Sequence, residues 1–95
     1  LRLRDGRLVP GEYIVYIFLP VKGVKQYQVV QREAEALQVR LVPDDGFDAA
    51  SVQALVRDGL RKVAGDDVVI DFALVDHIAL TPSGKRRVVV CELPA

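Results

Sequence analysis

The sequence predicts an α+β domain in which a small, mainly antiparallel sheet carries two helices on one face. Two patterns predict this class: a pair of alternating apolar segments joined by a short polar connection, and a long segment with apolar residues at helical spacing. The predicted order is strand, helix, strand, strand, helix, strand, strand, and residues 1–4, before the Asp5-Gly6 turn signal, form the first strand. The length of 95 residues and the hydrophobic content of 51% suit one domain over residues 1–95.

The first helix is predicted from the spacing of its apolar residues, although the strand propensity of the same residues points the other way. Residues 12–19 are rich in β-branched and aromatic side chains, which favour strands. Apolar residues nevertheless recur there at helical spacing, and Pro10 suits a helix start. We therefore interpret this segment as a short buried helix that is ended by Pro20 and Gly23. The residues at helical spacing are Ile14, Ile17, Phe18 and Val21.

Two strands follow and are predicted to pair antiparallel. They are residues 24–31 and residues 37–42, and the four residues between, 33–36, form an acceptable hairpin connection. Because side chains alternate along a strand, each of these strands has two distinct faces. One face carries Tyr27 and Val29 on the first strand and Leu37, Val39 and Leu41 on the second, and the other carries Gln26, Gln28, Val30, Gln38 and Arg40.

The second helix has the clearest signals. Asp48 can accept hydrogen bonds from the first free backbone N–H groups, and Gly65 supplies a stop. Residues 68–75 and 88–91 then form the third strand of the main sheet and a short final strand. The predicted apolar stripe of the helix consists of Val52, Leu55, Val56, Leu60 and Val63.

Composition narrows the possible functions. Thirteen basic and thirteen acidic residues give no net charge, whereas a nucleic-acid-binding module normally has a basic excess. A single cysteine cannot form an internal disulfide and favours a reducing, cytoplasmic compartment. With one histidine in addition, the chain has too few ligands for a structural zinc site, and we expect no metal site. No apolar run is long enough to span a membrane, so we expect neither a nucleic-acid nor a membrane partner.

The segment around Lys85 is the strongest candidate for chemistry. Pro82 fixes its own φ and Gly84 permits a turn, so the loop would carry Lys85 at its tip. An ammonium on a flexible stem can neutralise a phosphate or a developing anion. On spacing alone, a solvated hairpin turn followed by arginines is the favoured explanation of this loop.

Three segments resemble the C-terminal domain of the adenylate-forming superfamily, which includes the acyl- and aryl-CoA ligases. "LTPSGKRRVVV" is similar to the lysine loop of these enzymes, above all in the phenylacetate–CoA ligase branch. "LRLRDGRLVPGEYI" and "GVKQYQVVQ" resemble the two segments that open the same domain, so the resemblance covers nearly the whole chain. The hinge that precedes this domain in the family is absent, and Asp5 is an extra residue in the turn at Gly6.

The resemblance implies a mobile lid domain that acts with an N-terminal adenylation domain of the same chain. ATP and a small carboxylic acid would give an acyl-adenylate and pyrophosphate, with Mg²⁺ held mostly by the other domain, and a thiol, usually CoA, would displace AMP after the lid rotates. Lys85 would be the catalytic residue of the first step. The loop supporting it would be Thr81, Pro82, Ser83 and Gly84; Arg86 and Arg87 would contact phosphate or CoA; and Gly6 and Arg7 would belong to the surface used in the thioester step.

Other interpretations remain open. The chain could be a non-catalytic α+β module that binds a ligand or pairs through a sheet edge, since fold alone does not decide function. It could also be a degenerate ligase homologue that acts in polysaccharide assembly. We expect no ligase activity from this domain by itself, because the acyl pocket would lie elsewhere. His77, Cys91 and the Asp44-Asp45 pair are interpreted as structural residues.

Overall fold

Two helices and four strands make up the described part of the chain, which in this computed structural model comprises residues 8–33, 35–78 and 88–91. The predicted opening strand, residues 1–4, lies outside this part. Every other predicted element is found, with bounds that differ by one or two residues at most ends. The elements are α1 (Gly11–Phe18), β1 (Val24–Glu33), β2 (Ala36–Pro43), α2 (Ala49–Ala64), β3 (Val69–Leu74) and β4 (Val89–Cys91).

The four strands form one sheet in the order β3-β2-β1-β4. The predicted β1–β2 hairpin is confirmed as an antiparallel pair, with Val29 opposite Val39 and Glu33 opposite Ala36. β3 pairs parallel to β2, and β4 pairs parallel to β1, so the sheet is mixed where the sequence predicts a mainly antiparallel one. The reason is the connection: α2 carries the chain back to the starting end of β2 before β3 begins, which makes the two strands parallel.

The core lies between one face of the sheet and the two helices, which confirms the predicted α+β class with both helices on one side. Val29, Val39 and Leu41 point to the helices and are fully buried. Phe18 of α1 stacks on Tyr27 of β1 with ring centroids 3.8 Å apart. The predicted strand faces are therefore confirmed on this side. The helix residues buried in the core are Ile14, Phe18, Val52, Val56 and Leu60.

The helix predictions hold with two corrections. Asp48 caps α2 as predicted, because its carboxylate accepts a hydrogen bond from the Ala50 N–H at 3.2 Å. Leu55, predicted on the buried stripe, is exposed, because it lies at the margin of the face that meets α1 and the sheet. α1 is buried on one side only, so the prediction of a buried helix, made from residue spacing, holds for its inner side alone. No helix among the described residues is long and apolar enough to cross a membrane.

The face of the sheet opposite the helices, called here the open face, carries Gln26, Gln28, Val30, Gln38, Arg40 and Val42. β3 and β4 lie at opposite edges of the sheet, and the described residues after β3, 75–78, lie over this face. Val75, just after β3, still lies beside β2, since its N–H donates a hydrogen bond to the Leu41 carbonyl at 2.9 Å. Three residues later the Ile78 N–H donates to Gln26 Oε1 on β1 at 3.2 Å. Residues 75–78 therefore cross from β2 towards β1 over the open face, and they are called the crossing segment below.

Candidate functional site

The predicted site residues lie outside the described part of the chain. This holds for Lys85, for its loop residues Thr81, Pro82, Ser83 and Gly84, for Arg86 and Arg87, and for Gly6 and Arg7. The structure therefore describes only the points at which these two segments join the fold.

Those points are adjacent in space. The lysine segment joins the sheet at Val88, whose carbonyl accepts a hydrogen bond from the Val29 N–H at 2.8 Å. The segment of Gly6 and Arg7 joins the fold at residues 8–10, immediately before α1. Gly11, the first residue of α1, packs against the start of β4, since a Cβ placed on it would lie 3.8 Å from Val88 Cγ2. This corner of the domain, where Gly11 meets Val88 and Val89, is called the β4 corner below.

Apolar side chains are exposed on α1, the helix that begins at the β4 corner, and on Leu8 ahead of it. Leu8, just ahead of the helix, is 73% exposed, and Tyr16 is 68% exposed. The outer face of α1 is defined by Tyr13, Val15, Tyr16 and Leu19, all of which are exposed. A helix that is apolar on both sides normally packs against something on both sides. In the described residues only its inner side, through Ile14 and Phe18, is covered.

A second candidate site lies on the open face. A pocket of about 310 Å³ is lined by Gln28, Arg40, Val75, His77 and Ile78, and we call it the open-face pocket. Gln28 and Arg40 are direct partners across the β1–β2 pair, so the sheet register brings them together. The Arg40 Nε–H donates to Gln38 Oε1 at 2.9 Å, which fixes the plane of the guanidinium. Val75, His77 and Ile78 come from the segment that crosses this face.

Sequence reasoning did not find this pocket. The signal was present in the alternation of Gln26, Gln28, Gln38 and Arg40, which places four long polar side chains on one face of two paired strands. His77 reaches these polar side chains because it belongs to the crossing segment, and that segment has no hydrophobic periodicity from which its path could be predicted. His77, predicted to be a solvated or partly buried structural residue, is exposed and lines the pocket.

The remaining candidates behave more simply. Asp44 and Asp45 form the predicted turn, in which the Asp45 N–H donates to the Asp44 carboxylate at 2.8 Å. Cys91 is the last residue of β4, as its apolar context predicts. Within residues 8–33, 35–78 and 88–91, no group of three or more His, Cys, Asp or Glu side chains could hold a metal ion.

Comparison with known proteins places the domain in a family. A curated relative, the ribonuclease HII of Saccharopolyspora erythraea, is 28% identical over 93 residues, which are 97% of this chain. The chain spans 41% of the length of that relative. No solved structure matches. A family profile described as the CapK C-terminal domain matches residues 1–92, nearly the whole chain, and the chain therefore belongs to the CapK C-terminal domain family.

Proposed function

We propose that this domain is the mobile C-terminal lid of an ATP-dependent acyl- or aryl-CoA ligase and that Lys85 assists formation of the acyl-adenylate. The strongest support is the resemblance of "LTPSGKRRVVV" to the lysine loop of such ligases, together with its place directly ahead of β4. Val88, three residues after Lys85, is anchored to the sheet. The lysine side chain is long and flexible, which suits it to contact a group in another domain.

The β4 corner supports the same proposal. Two segments that are far apart in sequence, and that both resemble parts of the ligase lid, join the fold side by side there. The apolar outer face of α1 adjoins this corner and offers a surface for a second domain. An N-terminal adenylation domain of the same chain is the proposed partner, and a small carboxylic acid is the proposed substrate.

In this proposal the chemistry assigned to the lid is electrostatic. When the carboxylate attacks the α-phosphate, negative charge builds on the oxygens between the two groups, and the Lys85 ammonium offsets it. ATP would supply the activating phosphate and CoA the acceptor thiol. Mg²⁺ would accompany ATP and, as the resemblance implies, be held mainly by the partner domain. Lid rotation would then withdraw Lys85 and bring Gly6 and Arg7 to the thiol step.

Lys85→Ala in the full-length protein tests this role. Adenylation, measured as pyrophosphate release, should fall by about 10²–10³-fold, since one preorganised charge is removed from the transition state. Thioester formation from a supplied acyl-adenylate should change far less, because Lys85 would be withdrawn in that step.

The matched control is Lys62→Ala, which removes an exposed lysine on α2 that pairs with Asp58, four residues earlier, at 3.2 Å. This variant should leave both half-reactions intact. If Lys85→Ala slowed the two half-reactions equally, the assigned role would be wrong.

A second candidate is a non-catalytic interaction module. The observation in its favour is that a relative of this domain bears the name ribonuclease HII, an enzyme class unlike a ligase. Deletion of residues 81–87 separates the two candidates: a ligase without this loop should lose adenylation, whereas an interaction module should keep partner binding. For either candidate we propose a reducing, cytoplasmic setting, on the basis of the single cysteine.

A further inference from the structure

The open-face pocket contains a cation without a counter-ion among the described residues. Arg40 is half-buried and uses its Nε–H on the neutral Gln38 side chain. No ion pair between Arg40 and an acidic side chain is found among the described residues. The guanidinium therefore keeps its two terminal nitrogens for another acceptor. A half-buried arginine in this situation is oriented for a planar or tetrahedral oxyanion.

Among the described residues, Asp71 is the register partner of Gln38 in the sheet, and Asp76 precedes His77. Both are exposed and neither pairs with Arg40 in the described structure, so solvent screens them from the guanidinium.

The lining of the pocket combines polar donors with apolar walls. Arg40 and His77 can donate hydrogen bonds, while Val75 and Ile78 supply the apolar side. The volume of about 310 Å³ is at the small end of the range for small-molecule pockets. Ala73, the β3 partner of Arg40 in the register, is small and leaves room beside the guanidinium.

We infer that the open-face pocket binds a small organic oxyanion, a carboxylate or phosphate with an apolar body, through Arg40 and His77. Its head group would accept hydrogen bonds from the terminal nitrogens of Arg40 and from His77. Its body would contact Val75 and Ile78. Binding there does not depend on the proposed ligase activity, because none of these residues belongs to the lysine loop.

Nuclear magnetic resonance of the isotopically labelled full chain tests this inference with three probes. These are benzoate, its neutral isostere benzamide, and inorganic phosphate, at constant ionic strength. Benzoate or phosphate should shift the backbone amides of Arg40 and of residues 75–78, and benzamide should not. A preference for benzoate would identify a carboxylate ligand, and a preference for phosphate would identify a phosphorylated one.

Variants link the shifts to the pocket. Arg40→Gln should weaken binding by about ten-fold or more, because a charge-assisted contact is lost. Arg61→Gln, which removes an exposed arginine on α2, should leave binding unchanged. His77→Glu places a like charge at the exposed rim without disturbing the core, and it should abolish binding even if Arg40→Gln proves unstable.

Three results would each overturn the inference. They are equal binding of benzamide and benzoate, equal effects of Arg40→Gln and Arg61→Gln, and the absence of localised shifts with both anions at tens of millimolar, where even weak pockets fill.

Discussion

Gly23 occupies a turn where two chain segments touch. Its φ is +78°, and a Cβ placed on it would lie 2.7 Å from the Cα of Phe47. The same contact brings the Gly23 carbonyl to the Asp44 N–H at 2.9 Å, so the start of β1 is tied to the loop after β2. No side chain fits at Gly23 unless one of these segments moves.

Gly23→Ala should therefore lower the free energy of unfolding by about 2–4 kcal/mol, from the left-handed backbone and the backbone clash together. Chemical denaturation of the chain measures this loss. Gly46→Ala is the matched control, because Gly46 has φ +79° with open space around its Cα. It should cost only about 1 kcal/mol. Equal losses in the two variants would show that the contact with Phe47 does not matter.

For single residues, the sequence predicts the role of a side chain, such as helix capping, better than it predicts whether that side chain is buried. The N-cap role of Asp48 follows from its type and place and is confirmed. The exposure of Leu55 could not be predicted, because it depends on where α1 crosses α2, which helical spacing does not encode. The roles of Lys85, Gly6 and Arg7 stay predictions, since those residues lie outside the described part of the chain.

Among the elements, α1 shows how tertiary context decides a locally ambiguous segment. β-branched residues favour a strand there, but helical spacing lets Ile14 and Phe18 reach the core on one side. The strand directions were harder to predict, because β3 is made parallel to β2 by the path of α2 and not by any pattern within the strand. The open-face pocket could not be predicted for a similar reason: it is formed by the crossing segment, and the path of that segment is not encoded in any periodic pattern of apolar residues.

The packing of α1 on α2 depends on Gly59. A Cβ on Gly59 would lie 2.7 Å from Ile17 Cγ2, so glycine allows the helices to approach closely. Gly59→Ala gains about 1 kcal/mol of helix propensity but should lose about 1–3 kcal/mol through overpacking, with a net loss in denaturation experiments.

The double-mutant cycle with Ile17→Ala checks this explanation. Once the methyl groups of Ile17 are removed, Gly59→Ala should become neutral or stabilising, and the two substitutions should show a coupling of about 1–2 kcal/mol. Additive effects would mean that Gly59 serves a purpose other than close packing.

For the whole molecule, the distribution of exposed apolar side chains indicates which edge meets the proposed partner domain. α1 begins at Gly11, which packs against the start of β4, whereas Leu74 is exposed on β3, at the opposite edge of the sheet. Docking through the β4 corner should depend on the first surface and not on the second.

Tyr16→Asp in the full-length protein should reduce adenylation by about ten-fold, because a buried aromatic contact between domains would be replaced by a charge. Since Tyr16 is 68% exposed, the stability of the domain itself should change by less than about 0.5 kcal/mol. Leu74→Asp, at a residue 60% exposed, should leave adenylation intact. The reverse pattern would place the partner at the β3 edge.

The pairing of β4 with β1 determines which part of the domain unfolds first. β4 has three residues, and its partner residues on β1 lie far back in the sequence, with Val89 beside Val29. Closing such a long loop is entropically costly for so few backbone bonds, whereas the β1–β2 hairpin is local. β4 is therefore the strand that can peel away first while the other three strands and both helices persist as a separate folding unit. Such partial unfolding would release the segment that carries Lys85 without melting the rest of the domain.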